Sequence, residues 1–369
     1  MRLRAQRSLT DKRMLADRTT LTQFLIEERR RHPDASGELN GLILDIALAS
    51  KAISRAVARG AVDRALEATP PANVEGVRDR NLERLANDIF LRSSEWGGHL
   101  AGMMSRAMDR TSTIPQHYPR GSYLLVFDPL DGATNLDVNV TVGSVFSILR
   151  APKPHDDAEA ADFLQCGRMQ VCAGYAIYGP ATMLVLTVGT GVHGFTLDPM
   201  LGEFFLTHPA LCIPPATCEF AIDASNSRRW QPAVERYVAE CLAGQAGPRA
   251  KDFHMRWIAS LVAETHRILM RGGVFLDPRD LRSPGGTSQA SLLHAANPVA
   301  FIVEQAHGRA ITGRCDVLDA QPESLQQRTG LIFGSCEEVE RIERYHRDYN
   351  FRDCDAPLFG MRGLFRAAI

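Results

Sequence analysis

Apolar residues recur along this chain first at helical spacing, then at strand spacing, then at helical spacing again. Residues 19–31 read as a capped helix. Residues 36–60 read as a second, with Ser36 as N-cap and Leu39, Leu42, Ile43, Ile46, Ala47 and Ile53 on one face. A third helix is predicted over residues 82–93, its apolar positions being Leu82, Leu85, Ile89 and Phe90. The character changes after Arg110. Residues 123–128 and 143–150 are short β-rich runs. Further strands are expected at 171–177, 182–190, 192–198 and 201–206, with glycine-bearing turns between them. Helices return at 232–241 and 258–270, followed by a short strand at 274–276. Residues 292–308 read as a helix interrupted near Asn297-Pro298, and 338–350 as a late amphipathic helix. Gly244–Gly247 is expected to be a loop, and the tail after Asp353 to be loosely held.

This order suits an α/β protein, and 369 residues suit one large unit or two closely packed domains. A boundary is expected near residue 210, where Pro209, Pro214 and Pro215 separate the strand-rich part from the next βα series. The resulting halves are residues 1–210 and 211–369. No internal repeat or low-complexity tract is visible.

A formal net charge of −1 gives no reason to expect nucleic-acid or membrane binding. The N-terminus carries Arg2, Arg4, Arg7 and Arg13, but no apolar segment follows, so no secretory signal is expected. Eight cysteines are scattered without C-x-x-C pairing or zinc spacing. They read as reduced thiols of a cytoplasmic protein; only Cys212 and Cys218 could form a redox pair, if a turn brought them together.

The densest chemistry lies in Val126-Phe127-Asp128-Pro129-Leu130-Asp131-Gly132-Ala133-Thr134-Asn135. Two carboxylates three residues apart, followed by glycine and small polar residues after a strand, suit a metal-assisted phosphate site. Further segments extend the pattern over almost the whole chain. They include Gly37-Glu38-Leu39-Asn40, Leu100-Ala101-Gly102, Tyr118-Pro119-Arg120-Gly121, Ala173-Gly174-Tyr175, Leu197-Asp198-Pro199 and Arg256-Trp257-Ile258-Ala259-Ser260. The ordered set resembles class I fructose-1,6-bisphosphatase of the bacterial type, within the metal-dependent, lithium-sensitive phosphatase superfamily.

The resemblance implies a layered αβαβα fold, with a metal- and phosphate-binding N-terminal half and a sugar-phosphate-binding C-terminal half. It also implies a homotetramer, a place in carbohydrate metabolism and Mg²⁺-dependent hydrolysis of fructose 1,6-bisphosphate at its 1-phosphate. Asp128, the Leu130 carbonyl and Asp131 match metal ligands, and Glu83 matches a nearby acidic position. Gly132, Ala133, Thr134 and Asn135 match the turn that meets the phosphate. Arg256 matches an arginine reaching into the neighbouring subunit's site, and Arg271 stands where some members carry tyrosine. Gly37, Glu38, Leu39, Tyr123 and Arg150 match an allosteric nucleotide site, or serve only to cap a helix and pack an interface.

At other positions the chain departs from the pattern. The Ser-Glu-Glu segment reads Ser105-Arg106-Ala107, so a fixed cation replaces a metal-binding glutamate. The Leu-Tyr-Glu-x-Asn-Pro segment reads Leu293-His294-Ala295-Ala296-Asn297-Pro298, and Ala295 cannot ligate. In Asn73-Val74-Glu75-Gly76-Val77, Val77 stands where an acid assists the attacking water. Gln289 and Ser291 occupy the places of a substrate-holding lysine and arginine, and Asp223 that of an asparagine at the 6-phosphate.

Together these losses favour a homologue with a degenerate metal site, where the Mg²⁺ that the resemblance implies lacks part of its ligand set, and where hydrolysis is lost or severely reduced. It would act as a ligand-binding or regulatory protein for a sugar phosphate. Two alternatives stand beside it. One is a repurposed, metal-independent enzyme using His294 for acid–base work with Arg106 and Asp223 in the old pocket. The other is an active Mg²⁺-dependent phosphatase.

Overall fold

The computed structural model describes residues 18–31, 37–66, 77–279 and 290–355. Ser36, residues 73–76, Gln289 and the end of the tail, on all of which expectations were placed, lie outside the described residues.

Three helices open the chain: α1 (Leu21–Arg31), α2 (Gly37–Leu66) and α3 (Val77–Ser94). An eight-stranded sheet follows, made of β1 (Leu100–Ser105), β2 (Ser112–Thr113), β3 (Tyr123–Asp131), β4 (Val142–Arg150), β5 (Gln170–Tyr178), β6 (Thr182–Thr187), β7 (Val192–Asp198) and β8 (Glu203–Leu211). Its order is β2-β1-β3-β4-β5-β6-β7-β8, with β1 and β3 parallel and every other pair antiparallel. A five-stranded sheet is built from β9 (Glu219–Ile222), β10 (His254–Met255), β11 (Val274–Asp277), β12 (Arg309–Ile311) and β13 (Leu331–Gly334), in the order β10-β9-β11-β13-β12. Four helices accompany it: α4 (Pro232–Leu242), α5 (Leu261–Arg271), α6 (Asn297–Gln305) and α7 (Cys336–Asp355).

The buried clusters define the layers. One cluster joins Phe24 of α1, Ile43 and Ile46 of α2 and Phe90 of α3 to Phe127, Phe146 and Leu184 on one face of the large sheet. A second joins the opposite face, through Val145, Tyr175 and Val185, to Val262 and Ile268 of α5, Val299 and Val303 of α6, and Phe275 and Phe333 of the small sheet. A third joins that sheet's outer face, through Phe220 and Ile332, to Tyr237 of α4 and Ile342 of α7. Helices, sheet, helices, sheet, helices is the αβαβα layering expected from the sequence. Both sheets are covered on each face, which is why β1, β3 and β13 are buried along their whole length rather than alternating.

Several strand boundaries differ from expectation: β3 runs on to Asp131, and β8 to Leu211, through Pro209. Residues 188–190 belong to a turn rather than to β6. The last strand of the large sheet begins at Glu203, because the Gly202 amide donates to the Asp198 carbonyl (2.8 Å) and closes the hairpin over Leu201. The interruption near Asn297-Pro298 takes the form of a π-helical turn over Leu292–Ala296 that runs into α6. No helix among the described residues is long and apolar enough to cross a membrane.

Candidate functional site

The site forms where β3 breaks its register. Asp128 pairs with Val145 and Asp131 with Gly143, so three steps on β3 span two on β4. In a regular strand, residues three apart point to opposite faces. The extra residue of the bulge brings both carboxylates to the same side. Pro129 sits inside this bulge, where its missing N–H costs no ladder bond. The Ser144 hydroxyl donates to the Pro129 carbonyl at 2.7 Å and pins the distortion.

Gly132 completes the turn at φ +73°, a left-handed conformation. A Cβ there would lie 2.9 Å from the Cβ of Ser260. Ala133, Thr134 and Asn135 form a single 3₁₀ turn. Asn135 is buried and donates to the Ile258 carbonyl at 3.0 Å, so its side chain ties the turn to the segment before α5.

Asp131 is 8% exposed and accepts from the Ser260 hydroxyl (2.7 Å) and the Val262 amide (2.9 Å). Burial, reinforced by the neighbouring Asp128 charge, pushes its pKa up to about 6, against the pull of these donors and of Arg106. Asp128 is 2% exposed, and its Oδ2 accepts from Arg106 Nη1 at 2.6 Å.

The parallel register of β1 on β3 explains that ion pair. Ser105 pairs with Phe127, and the Arg106 amide donates to the Phe127 carbonyl at 3.0 Å. The residue after β1 is thereby set beside Asp128. The guanidinium's own pKa is raised, chiefly by Asp128, with Asp131 and Glu83 contributing from further away. Among the described residues, no group of three or more His, Cys, Asp or Glu side chains is arranged to hold a metal ion. Asp128, expected as a Mg²⁺ ligand, is bonded instead to the Arg106 guanidinium.

A cavity of about 380 Å³ opens from Asp131 and Arg106. Asp223, Ser291 and Ala295 line it, together with Ser260. Asp277, Asn226, Arg229, Trp230, Trp257 and Phe275 also line it. Asp277, Asn226 and Arg229 were not foreseen as site residues. Asp277 ends a strand, the position from which α/β sheets commonly present ligand-binding groups, and that was the available signal.

Other expected site residues lie elsewhere. Arg256 pairs with Glu219 at 3.5 Å, and the charge of Arg271 also favours ionised Glu219; neither arginine is among the residues lining the cavity. His294 is fully buried and likewise absent from the lining. Its Nδ1 lies 2.9 Å from the Ser291 hydroxyl and its Nε2 has no hydrogen-bond partner. Burial, with Arg106 nearby, lowers its pKa to about 4.

Of the residues expected at a nucleotide site, Glu38, Tyr123 and Arg150 have contacts near one another. Glu38 near the start of α2 accepts from the Ser122 amide at 3.2 Å, and the Arg150 guanidinium lies 5.8 Å from the Tyr123 ring across the β3–β4 pair.

The fructose-1,6-bisphosphatase N-terminal domain model matches residues 19–209, and the C-terminal domain model residues 213–347. A protein of Methylibium petroleiphilum named fructose-1,6-bisphosphatase class 1 is 60% identical over 351 residues, covering 95% of this chain and 98% of that protein. One of Hydrogenophilus thermoluteolus with the same class name is 60% identical over 94% of this chain and 97% of its own. Among solved structures, Leishmania major fructose-1,6-bisphosphatase in its holo form superposes with a TM-score of 0.80 at 33% identity, over 90% of this chain and 99% of that one. The α/β sugar-phosphatase fold of the lithium-sensitive superfamily and the similarity along nearly the whole length agree: this chain belongs to the fructose-1,6-bisphosphatase family.

Proposed function

We propose that this protein binds a sugar phosphate in the cavity between Arg106 and Asp223 and has lost, or nearly lost, hydrolysis of fructose 1,6-bisphosphate. It acts as a ligand-binding or regulatory member of its family. The observation that carries this reading is the Arg106–Asp128 ion pair at 2.6 Å. A divalent cation seated beside that guanidinium would be repelled by about 1 to 4 kcal/mol per unit charge at roughly 4 Å, depending on the local dielectric. Ala295, on the same cavity wall, offers no ligand in compensation. Residues 1–210 would carry the phosphate-site half and 211–369 the sugar half, in a cytoplasmic homotetramer.

A second reading keeps the active Mg²⁺-dependent enzyme. It rests on relatives 60% identical over nearly their full length that bear the name fructose-1,6-bisphosphatase class 1. Those names favour it over loss of activity. Asp128 and Asp131 remain side by side, with Glu83 within electrostatic reach of Arg106. Acid–base catalysis by His294 has no comparable support, because the imidazole is sealed from the cavity.

The deciding experiment measures phosphate release from fructose 1,6-bisphosphate with Mg²⁺ or Mn²⁺, using protein purified from a host that lacks its own bisphosphatase. Asp131→Asn controls for contamination. The proposal expects no turnover above that of the variant, together with measurable binding of a sugar phosphate. Turnover that disappears in the variant establishes the active enzyme instead.

A further inference from the structure

One residue on the cavity wall is held against its own backbone preference. Ala259 has φ +58°, in the left-handed region that glycine enters freely and that an unconstrained alanine would occupy roughly one time in ten. Its two neighbours leave it no other choice. The Ile258 amide donates to Glu264 Oε1 at 2.9 Å, and the Ile258 carbonyl accepts from Asn135 Nδ2 at 3.0 Å. On the other side, the Ser260 hydroxyl donates to Asp131 at 2.7 Å and accepts from the Ala263 amide at 3.2 Å as the N-cap of α5.

Glu264 lies in the first turn of α5 and is fully buried. Its Oε2 accepts from Arg267 Nε at 3.0 Å, and Arg267 Nη1 donates to Glu219 Oε2 at 2.7 Å. Glu219 Oε1 in turn lies 3.5 Å from Arg256 Nε. The chain of charges therefore leaves α5, crosses to β9 and returns two residues ahead of Ile258. A buried ion pair adds little net stability over apolar side chains of the same size. What this one supplies is a carboxylate oxygen fixed opposite the Ile258 amide. Trp257 and Ser260, which flank the pinned pair, both line the cavity.

We propose that Glu264 is a positioning residue. Through the Ile258 amide it keeps Ala259 left-handed, and so keeps Trp257 and Ser260 on the cavity wall in the geometry that receives a ligand. The inference rests on the ligand-binding role of the cavity proposed above, and holds whether or not the ligand is hydrolysed.

The test uses Glu264→Gln, whose single oxygen cannot stand at both carboxylate-oxygen positions. Affinity is read by calorimetric titration of the full chain with fructose 1,6-bisphosphate, divalent metal being removed by chelator. Once Ala259 is free to leave the left-handed region, the competent fraction should fall to about one tenth and the affinity about tenfold. In an Ala259→Gly background, where that region is open without strain, the same substitution should cost less than about threefold. A general loss of packing would cost as much in either background. Undiminished affinity in a folded Glu264→Gln, or an equal loss in both backgrounds, overturns the inference. Amide exchange on the ligand-free wild type needs no variant to fold. The Ile258 amide should exchange as slowly as the amides of α5, and exchange at the rate of an exposed loop also overturns the inference. A wild type that binds no fructose 1,6-bisphosphate removes the functional reading. Slow exchange at Ile258 that is lost in Glu264→Gln and regained on adding Ala259→Gly would then still support the hold of Glu264 on the turn.

Discussion

Replacing Arg106 with alanine separates a tethered counter-charge from a diffusible one. In the wild type the guanidinium compensates Asp128, whose side chain is 2% exposed, while the arginine itself remains 44% exposed. Unit charges about 4 Å apart attract by roughly 4 kcal/mol at an effective dielectric of 20 and by roughly 1 kcal/mol in water. The half-open arginine places the pair between these limits, so Arg106→Ala should cost about 2 kcal/mol in metal-free buffer. Two carboxylates would then share the bulge with no cation on Asp128. A divalent ion becomes a stabilising ligand there, and tenfold saturation contributes about 1.4 kcal/mol by mass action. Thermal melts with and without Mg²⁺ measure both effects. The variant should melt several degrees lower than wild type in chelator and recover much of that loss in Mg²⁺, whereas the wild-type midpoint should not respond. A wild type stabilised by Mg²⁺ as much as the variant would refute the view that Arg106 takes the metal's place.

Three further outcomes follow from buried groups. Asp45 is 8% exposed, its Oδ2 lacks a hydrogen-bond partner, and burial raises its pKa from 3.8 to about 6. A carboxyl with a raised folded-state pKa favours folding while protonated and loses that advantage as pH rises from about 4 through 6. Asp45→Asn should therefore gain about 1–2 kcal/mol over wild type in urea melts at pH 7, and the gain should shrink toward pH 4. His346 is buried, with its pKa lowered from 6.5 to about 4 by burial and then by Arg314. The unfolded chain takes up that proton first, so the imidazole's contribution is complete above 6.5 and is lost as pH falls toward 4. The stability advantage of wild type over His346→Gln should accordingly drop by about 2–3 kcal/mol across that window, read from denaturant midpoints. Phe90 is fully buried and stacks on Phe127 with ring centroids 4.7 Å apart. Phe90→Ala should cost about 3–5 kcal/mol in the same melts, and a loss under about 1 kcal/mol would contradict the close packing of α3 on the sheet.

The elements most legible in the sequence were those with a face. Helix α2 shows Ile43, Ile46 and Ile53 at helical spacing, and β3 to β7 form a meander whose turns are marked by glycine. Strand β1 was not seen, because Leu100-Ala101-Gly102-Met103-Met104-Ser105 has no β-branched residue and is buried on both faces, leaving no alternation to read. Strands β9, β12 and β13 are three or four residues long, too short to show any period. In the site, the substitutions at Arg106 and Ala295 could be read by resemblance. The contact of Arg106 with Asp128 could not, since it depends on the pairing of two strands more than twenty positions apart. The burial of His294 was hidden for a similar reason: its neighbours at helical spacing give no hint that Ser291, rather than the imidazole, faces the cavity.

The bulge in β3 is held by strand register and by the Ser144–Pro129 hydrogen bond, so its two carboxylates stay adjacent whatever neutralises them. With Arg106 as the neutralising group, the cation is present at one equivalent per chain and at an effective concentration set by the backbone rather than by the medium. If Arg106 takes the metal's place, such a site would be insensitive to chelators and to swings in the supply of divalent ions. Under the proposed function, every copy of the protein would carry that cation, whatever the ionic composition of the medium.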